Sequence, residues 1–257
     1  MNWSRRLRSA APIAGIHLGL SSVVVLVIAV LVLGVWYPHP YDQMIQGRNL
    51  LFLLLALQLA CGPLLTLLLF DPDKEKYKWR IDIALIALIQ IAALLFSLTQ
   101  LASSRPIFTA FEGDRFRVVQ ANDIVVGSLP QSPSSLSKLG YGGPRLIGVR
   151  LLEASDPEYP KSVTMAMQGV HPAFRPERWR EYNLIVPEIS RALRPIAELK
   201  AKHPNRVEEL MQLENSLGID EENLGYLPLV RAEITDWVIF IRRADGQPVA
   251  YAHIDSW

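Results

Sequence analysis

Cysteine is nearly absent from this chain of 257 residues, since Cys61 is the sole cysteine and lies inside a long apolar run. A single thiol excludes an intramolecular disulfide and a cysteine-rich metal site. The polar part of the chain, residues 103–257, contains no cysteine. We therefore expect this part to be held together by a hydrophobic core of its own.

An excess of charge of one sign is also lacking. The chain has 26 Lys and Arg against 25 Asp and Glu, a formal net charge of +1. This balance gives no bulk electrostatic attraction for nucleic acid, so we expect no nucleic-acid partner. The sequence has no GxSxG, P-loop, HExxH, CxxC or GxGxxG motif, and its five histidines are not at ligand spacing. From these absences we expect that the chain is not an enzyme and that it has no site for a metal or another cofactor.

Long apolar runs dominate the first hundred residues instead. A membrane-spanning helix needs roughly 20 mostly apolar residues, and three stretches qualify, at about 12–37, 49–70 and 81–102. The first stretch is too long for the apolar core of a signal peptide and is followed by Trp36-Tyr37-Pro38 rather than by small residues. We therefore predict three retained spans.

Basic residues on the flanks of these spans predict their orientation. The first flank carries Arg5, Arg6 and Arg8, and the loop 71–80 carries three Lys and one Arg. The opposite flanks offer only Arg48 and Arg105. By the positive-inside rule, residues 1–11 and 71–80 are expected in the cytoplasm. Residues 103–257 would then form a periplasmic domain on the inner membrane of a Gram-negative bacterium.

A few polar groups interrupt the spans. Gln58, Thr66 and Gln90 are predicted to make hydrogen bonds between helices. Pro63, next to Gly62, removes a backbone hydrogen bond and is expected to bend the second span. Asp82 is interpreted as an interfacial carboxylate beside Arg80, or alternatively as a contact for a partner protein.

The first half of the polar part reads as strands separated by loops. Residues 106–126 are rich in Phe and Val, and they predict two short strands, with 124–126 belonging to one of them. Residues 127–144 are rich in Ser, Pro and Gly and indicate a loop. Another strand is predicted over 145–152. Asp114 and Glu112 are interpreted as surface charges or partners of Arg115 rather than as an acid–base pair.

Helices are predicted next, and strands again at the end. The helical segments are 162–168, 187–200 with a possible break at Pro195, and 204–217. The final strands are 226–232, 237–242 and 248–254, the last two joined by the turn 244–247. The fold class predicted is therefore three N-terminal transmembrane helices followed by an α+β domain with an antiparallel sheet.

One region carries a family signal that is more specific than these patterns. It runs from the second span into the start of the polar part. The residues that carry it are Gly62, Pro63, Thr66, Asp71, Pro72, Lys74, Arg80, Asp82, Gln90, Arg105, Pro106, Asp114, Arg115 and Phe116. With these residues the chain resembles the type IV pilin accessory proteins of the TfpX/TfpZ family. The stretch 127–224 contributes little to the resemblance.

The resemblance implies a non-enzymatic chaperone or modulator that assists a cognate major pilin during pilus assembly. The expected partners are that pilin, the lipid bilayer and other pilus assembly proteins. The residues above are the family motif and the candidate pilin contacts, and the resemblance implies no defined binding site. A periplasmic ligand-binding or sensory module anchored in the membrane is the main alternative. A membrane-bound enzyme with a scattered site is a third hypothesis.

Overall fold

The computed structural model describes residues 3–45, 47–70 and 74–257, and the chain divides into two compact units, Met1–Arg105 and Pro106–Trp257. Asp71 and Pro72 lie outside the described residues. The helices of the first unit are α1 (Trp3–Leu31), the short α2 (Tyr41–Met44), α3 (Gly47–Leu69) and α4 (Lys76–Ser103), with a π-helical turn at Val32–Trp36.

Three helices in the described part of the chain are long and apolar enough to cross a membrane, over Arg8–Trp36, Leu51–Leu69 and Lys76–Ser103. Their surfaces carry many exposed leucines and phenylalanines, among them Leu53 and Phe96, each 66% exposed. Apolar surface of this extent is typical of helices in contact with lipid.

A small core closes one end of the helical unit. Tyr37 is buried there with Val32, Leu51 and Leu101. The Tyr37 hydroxyl lies 2.9 Å from the carbonyl oxygen of Leu101, to which it donates, and 2.9 Å from Oγ of Ser104. The end of α1 is thereby joined to the end of α4.

All of residues 106–257 are described, and they form one eight-stranded sheet with four helices. The spatial order of the strands is β4-β3-β1-β2-β6-β7-β8, and β5 pairs with β6. The strands are β1 (Pro106–Phe111), β2 (Phe116–Gln120), β3 (Arg145–Val149), β4 (Trp179–Glu181), β5 (Arg194–Pro195), β6 (Leu224–Arg231), β7 (Ile234–Arg242) and β8 (Pro248–Ala252). The helices are α5 (Tyr159–Met167), α6 (Val186–Ala192), α7 (Ile196–Lys202) and α8 (Val207–Leu217).

The prediction of a purely antiparallel sheet was wrong, because the sheet is mixed. β1 pairs in parallel with β3, and β2 in parallel with β6, while the other pairs are antiparallel. The β1–β2 hairpin lies in the middle of the sheet, and later strands reach its two edges through long connections. Such connections allow a strand to return in the same direction.

Two hydrophobic clusters support the sheet. Phe108 and Trp179 stand edge to face, with ring centroids 4.8 Å apart, in the cluster around β1 and β3. The second cluster places Leu199 of α7 and Leu210 of α8 against Phe240 and its neighbours in β6 and β7. These contacts give the unit the independent core that its lack of cysteine requires.

Several local predictions were confirmed. The hairpin of β7 and β8 turns through Gly246, whose φ of 68° favours glycine, and Gly218 ends α8 with a φ of 62°. The break predicted at Pro195 separates α6 from α7. A strand at 124–126 was wrong, because the Asp123 carboxylate accepts the Gln120 backbone N–H at 2.8 Å and turns the chain after β2.

Gly148 in β3 provides a test of how tightly this core is packed. A Cβ at this position would lie 2.7 to 2.9 Å from three atoms of the fully buried Ile185. Gly148→Ala should therefore destabilise the unit by about 1–3 kcal/mol. Thermal unfolding of the full chain in detergent measures this effect, and Gly142→Ala, where a Cβ meets open space, is the matched control. Equal melting temperatures for the two variants would contradict the packing described.

Candidate functional site: a polar cluster between the apolar helices

Polar side chains from three apolar helices meet within the helical unit. His17 of α1 has its Nδ1 2.8 Å from Oγ1 of Thr66 on α3. The other ring nitrogen, Nε2, lies 2.7 Å from Oε1 of Gln90 on α4. Thr66 is 3% exposed and Gln90 is 9% exposed. One histidine thus links all three long helices through hydrogen bonds, as polar residues in membrane helices commonly do.

Gly62 allows this close approach. A Cβ at Gly62 would lie 2.1 Å from Nε2 of Gln90 and 3.0 Å from Nε2 of His17. The Gly62 carbonyl oxygen accepts a hydrogen bond from Thr66 Oγ1 at 2.9 Å. Pro63 lies inside α3, where its missing N–H leaves one carbonyl without a backbone donor. The glycine, the proline and the threonine of the second span therefore belong to one local arrangement.

Gln58 extends the polar cluster along α3. Its Nε2 donates to the backbone carbonyl of Gln90 at 3.2 Å, and Nε2 of Gln90 faces the backbone carbonyl of Gln58 at 3.5 Å. The prediction of hydrogen bonds between helices by Gln58, Thr66 and Gln90 is confirmed by these contacts.

A cleft opens beside the polar cluster. α3 packs along both α1 and α4, and residues of α1 and α4 face each other across open space. We call the space between them the α1–α4 cleft. It consists of two cavities of about 290 and 260 Å³, and His17, Leu20 and Ala87 line both. The larger cavity is also lined by Ser21, Val24, Gln58, Gln90, Ile91 and Leu94, and the smaller by Ile13, Ile16, Thr66, Ile83 and Ile86.

The cleft combines apolar walls with a few polar groups. Its walls are apolar, and its polar groups are an imidazole, two amides and two hydroxyls. In the described part of the chain no group of His, Cys, Asp and Glu side chains could hold a metal ion. A few hydrogen-bonding groups in an apolar cavity favour orientation and specificity for an occupant.

The charged motif residues of the helical unit lie outside the cleft. Lys74 Nζ donates to Oδ2 of Asp82, so the ion-pair partner of this carboxylate is Lys74. The interpretation from the sequence had placed Asp82 beside Arg80 instead. Arg80 is exposed on α4. This ion pair connects the segment after α3 to the first turns of α4.

The remaining motif residues surround the start of the sheet. Arg105 is buried and donates to the carbonyl of Ala102, and Pro106 begins β1. Asp114 accepts two hydrogen bonds from Arg115, at 2.7 and 2.8 Å, which confirms their pairing. The Arg115 guanidinium holds the pKa of Asp114 below its ordinary value. Phe116 is fully buried, so its role is in packing.

The interpretation of Glu112 as a surface charge or a partner of Arg115 was wrong, because this side chain is buried and pairs with Arg117. Its Oε2 accepts from Nε of Arg117 at 2.7 Å, and both side chains are at least nine-tenths buried. Its Oε1 accepts the backbone N–H of Ala173 at 3.0 Å. His171 lies near this pair, and burial, followed by the positive charge of Arg117, lowers the pKa of its imidazole.

His17 is the residue of the candidate site that the sequence predictions left out. It was set aside because no other histidine stands at ligand spacing, and that criterion applies to metals only. The usable signal was different: His17 is the only ionisable residue between Arg8 and Trp36. An ionisable group inside an apolar span is costly and marks a functional site by default.

Comparisons with known proteins identify relatives of this chain. The family model of the fimbrial assembly protein FimB matches residues 5–46, which include His17. Two fimbrial assembly proteins of Dichelobacter nodosus, from serogroups E1 and I, are each 33% identical to the chain over 241 residues. Each alignment covers 92% of this chain and 92% of the relative.

A third fimbrial assembly protein of the same organism, from serogroups C1 and C2, is 38% identical over 128 residues. That alignment covers 50% of this chain and 98% of the relative. No solved structure matches the chain.

Proposed function

The chain belongs to the family of fimbrial assembly proteins, and on that premise we propose that it is an accessory factor, or chaperone, for a cognate type IV major pilin. The observation that carries the proposal is the similarity to fimbrial assembly proteins over nearly the whole chain. The resemblance of its motif residues to TfpX/TfpZ proteins supports the finer part, which is specificity for one pilin.

The proposed location is the bacterial inner membrane. The three apolar helices cross the bilayer, with the N-terminus and the segment 71–80 in the cytoplasm and the sheet-containing unit in the periplasm. The distribution of basic residues on the flanks of the helices supports this orientation.

The proposed contact in the membrane is the α1–α4 cleft. An apolar helix of the pilin would lie along this cleft, while the sheet-containing unit contacts the periplasmic head of the pilin. Two linked contacts raise the effective concentration of each, so neither needs to be tight. The role is non-enzymatic, and the apolar walls and hydrogen-bonding groups of the cleft support binding as its task.

Deletion of the gene for this chain tests the proposed function. We expect the loss of most surface fimbriae and a lower steady-state amount of pilin in the membrane, because a pilin without its chaperone is exposed to degradation. Electron microscopy and immunoblotting measure the two quantities, and expression of the intact chain in the deletion strain is the control. Unchanged fimbriae and unchanged pilin would contradict the proposal and would favour a sensory module.

A further inference from the structure

We propose that the α1–α4 cleft binds an anionic phospholipid, with an acyl chain in the cleft and the phosphate group on Lys76 and Arg80. The inference goes beyond the proposed function, because it concerns what occupies the cleft before a partner helix arrives. It also gives a role to Arg80, a motif residue that does not line either cavity.

One face of α4 carries both parts of this site. Ile83 and Ala87 line the cleft, and Arg80 stands three residues before Ile83 and seven before Ala87. In an α-helix a spacing of seven residues brings a side chain back to within ~20° of its starting direction. Lys76 stands seven residues before Ile83, so it continues the same face. The apolar lining on α4 is therefore followed, toward the start of the helix, by two basic residues.

The two basic residues lie beyond one end of the cleft. The smaller cavity is lined by Ile13 of α1 and Ile83 of α4, and the larger cavity by Val24 and Leu94. α1 and α4 thus run in the same direction along the cleft. Both basic residues precede Ile83 in α4 and are exposed. They therefore lie past the smaller cavity, where the apolar part of the helix gives way to its polar beginning.

The length and polarity of the cleft match an acyl chain. Along α1 the lining runs from Ile13 to Val24, which corresponds to about 16 Å. The hydrocarbon core of a bilayer is ~30 Å thick, so the acyl chains of one leaflet fill ~15 Å. His17, Gln58 and Gln90 already make hydrogen bonds within the protein. An acyl chain in the cleft would therefore leave none of these three side chains without a partner.

The charge at the end of the cleft favours an anionic head group. Among the described residues, both acidic side chains at this end of α4 pair with lysines other than Lys76. Basic residues beside a pocket between membrane helices attract anionic head groups. The Arg80 guanidinium can donate two parallel hydrogen bonds to a phosphate, and the Lys76 ammonium adds a point charge. A zwitterionic head group would bring a cation of its own to the same place, so an anionic lipid is preferred.

Capture of lipid tests the inference with the full chain in phospholipid nanodiscs. A photoreactive residue replaces Leu20, which is 66% exposed and lines both cavities. The nanodiscs contain phosphatidylglycerol as the minor lipid and phosphatidylcholine with identical acyl chains as the major one, and mass spectrometry identifies the captured lipid. We expect the captured ratio of phosphatidylglycerol to phosphatidylcholine to exceed the ratio in the bilayer about tenfold.

Substitutions separate the head-group contact from general attraction by charge. Arg80→Gln combined with Lys76→Gln should return the captured ratio to that of the bilayer. Lys78→Gln is the matched control, because Lys78 pairs with Glu75 and stands nine residues before Ala87, which places it ~180° away on the opposite face of α4. We expect Lys78→Gln to keep the preference. An equal loss in Lys78→Gln, or a preference that survives the double variant, would overturn the contact.

A second photoreactive position reports the lipid around the protein. Leu88 directly follows Ala87 in α4, is 63% exposed and lines neither cavity. We expect the captured ratio at Leu88 to equal that of the bilayer. The same preference for phosphatidylglycerol at Leu88 as at Leu20 would overturn the site, because the attraction would then be spread over the whole surface.

Failure of this inference is distinguishable from failure of the proposed function. A separate sample that contains the cognate pilin tests the pilin contact at Leu20. Capture of pilin without any preference between the two lipids would overturn the lipid site and leave the proposed function standing. A preference for phosphatidylglycerol without capture of pilin would support the lipid site and contradict the pilin contact.

Discussion

Replacing Ala87 with tryptophan should abolish the display of fimbriae by cells that depend on this chain. Ala87 lies on α4, is exposed, and lines both cavities of the α1–α4 cleft. An indole at this position would fill the space beside His17 and exclude a partner helix. Because the side chain points into open space, the helices themselves need not rearrange, and the loss would be one of binding.

Ala84→Trp is the matched control for Ala87→Trp. Ala84 lies on the same helix and is also exposed, but it lines neither cavity. We expect capture of pilin from a photoreactive residue at Leu20 to fall at least about tenfold in Ala87→Trp and to stay unchanged in Ala84→Trp. Normal fimbriae in cells that carry Ala87→Trp would show that the cleft is not the contact.

Glu112→Ala should strongly destabilise the sheet-containing unit. It leaves the Arg117 guanidinium buried without its carboxylate, and it leaves the N–H of Ala173 without its acceptor. Breaking a buried ion pair in this way costs about 3–5 kcal/mol. For a unit of this size the melting temperature should fall by about 6–20 °C, as measured by near-ultraviolet circular dichroism of the full chain in detergent.

Two further variants separate the ion pair from general effects of substitution. Glu209→Ala removes an exposed carboxylate from Arg206 and should change stability by less than about 1 kcal/mol. The double variant Glu112→Met, Arg117→Met removes both buried charges together and should be less destabilised than Glu112→Ala. If Glu112→Ala had the same melting temperature as the intact protein, this would contradict the burial of the ion pair between Glu112 and Arg117.

The elements with local signals were those that the sequence predicted well. The three apolar helices follow from run length, and the β7–β8 hairpin follows from the turn that contains Asp245 and Gly246. In that turn the Asp245 carboxylate accepts the N–H of Gln247 and a hydrogen bond from Arg242. Each of these signals lies within a few residues of the structure that it determines.

The order of strands in the sheet had no such signal. β2 lies beside β6, so that Phe116 pairs with Leu229 across more than a hundred residues of chain. Alternation of apolar residues indicates that each segment is a strand, but it does not specify which neighbour the strand takes or in which direction. The parallel pairs were missed for this reason.

The candidate site, too, could be predicted from the sequence only in part. Gln58, Thr66 and Gln90 were predicted as partners between helices because polar groups in apolar spans must find hydrogen bonds. Their meeting with His17 could not be predicted, because it depends on the rotation of α1 relative to α3 and α4. The role of Gly62 was also hidden, since it appears only when the Gln90 amide is seen where a Cβ would be.

Under the proposed function the α1–α4 cleft receives its partner from the bilayer, and this has a consequence for how occupancy of the cleft depends on the amount of partner. An occupant that enters from the bilayer arrives by diffusion in two dimensions, so the quantity that sets occupancy is the number of partner molecules per unit area of membrane. Cells that enlarge their membrane without making more partner would empty the cleft, even at constant copy number per cell. If new partner helices are inserted into the membrane near the protein, they would occupy the cleft before the concentration of partner in the surrounding membrane rises.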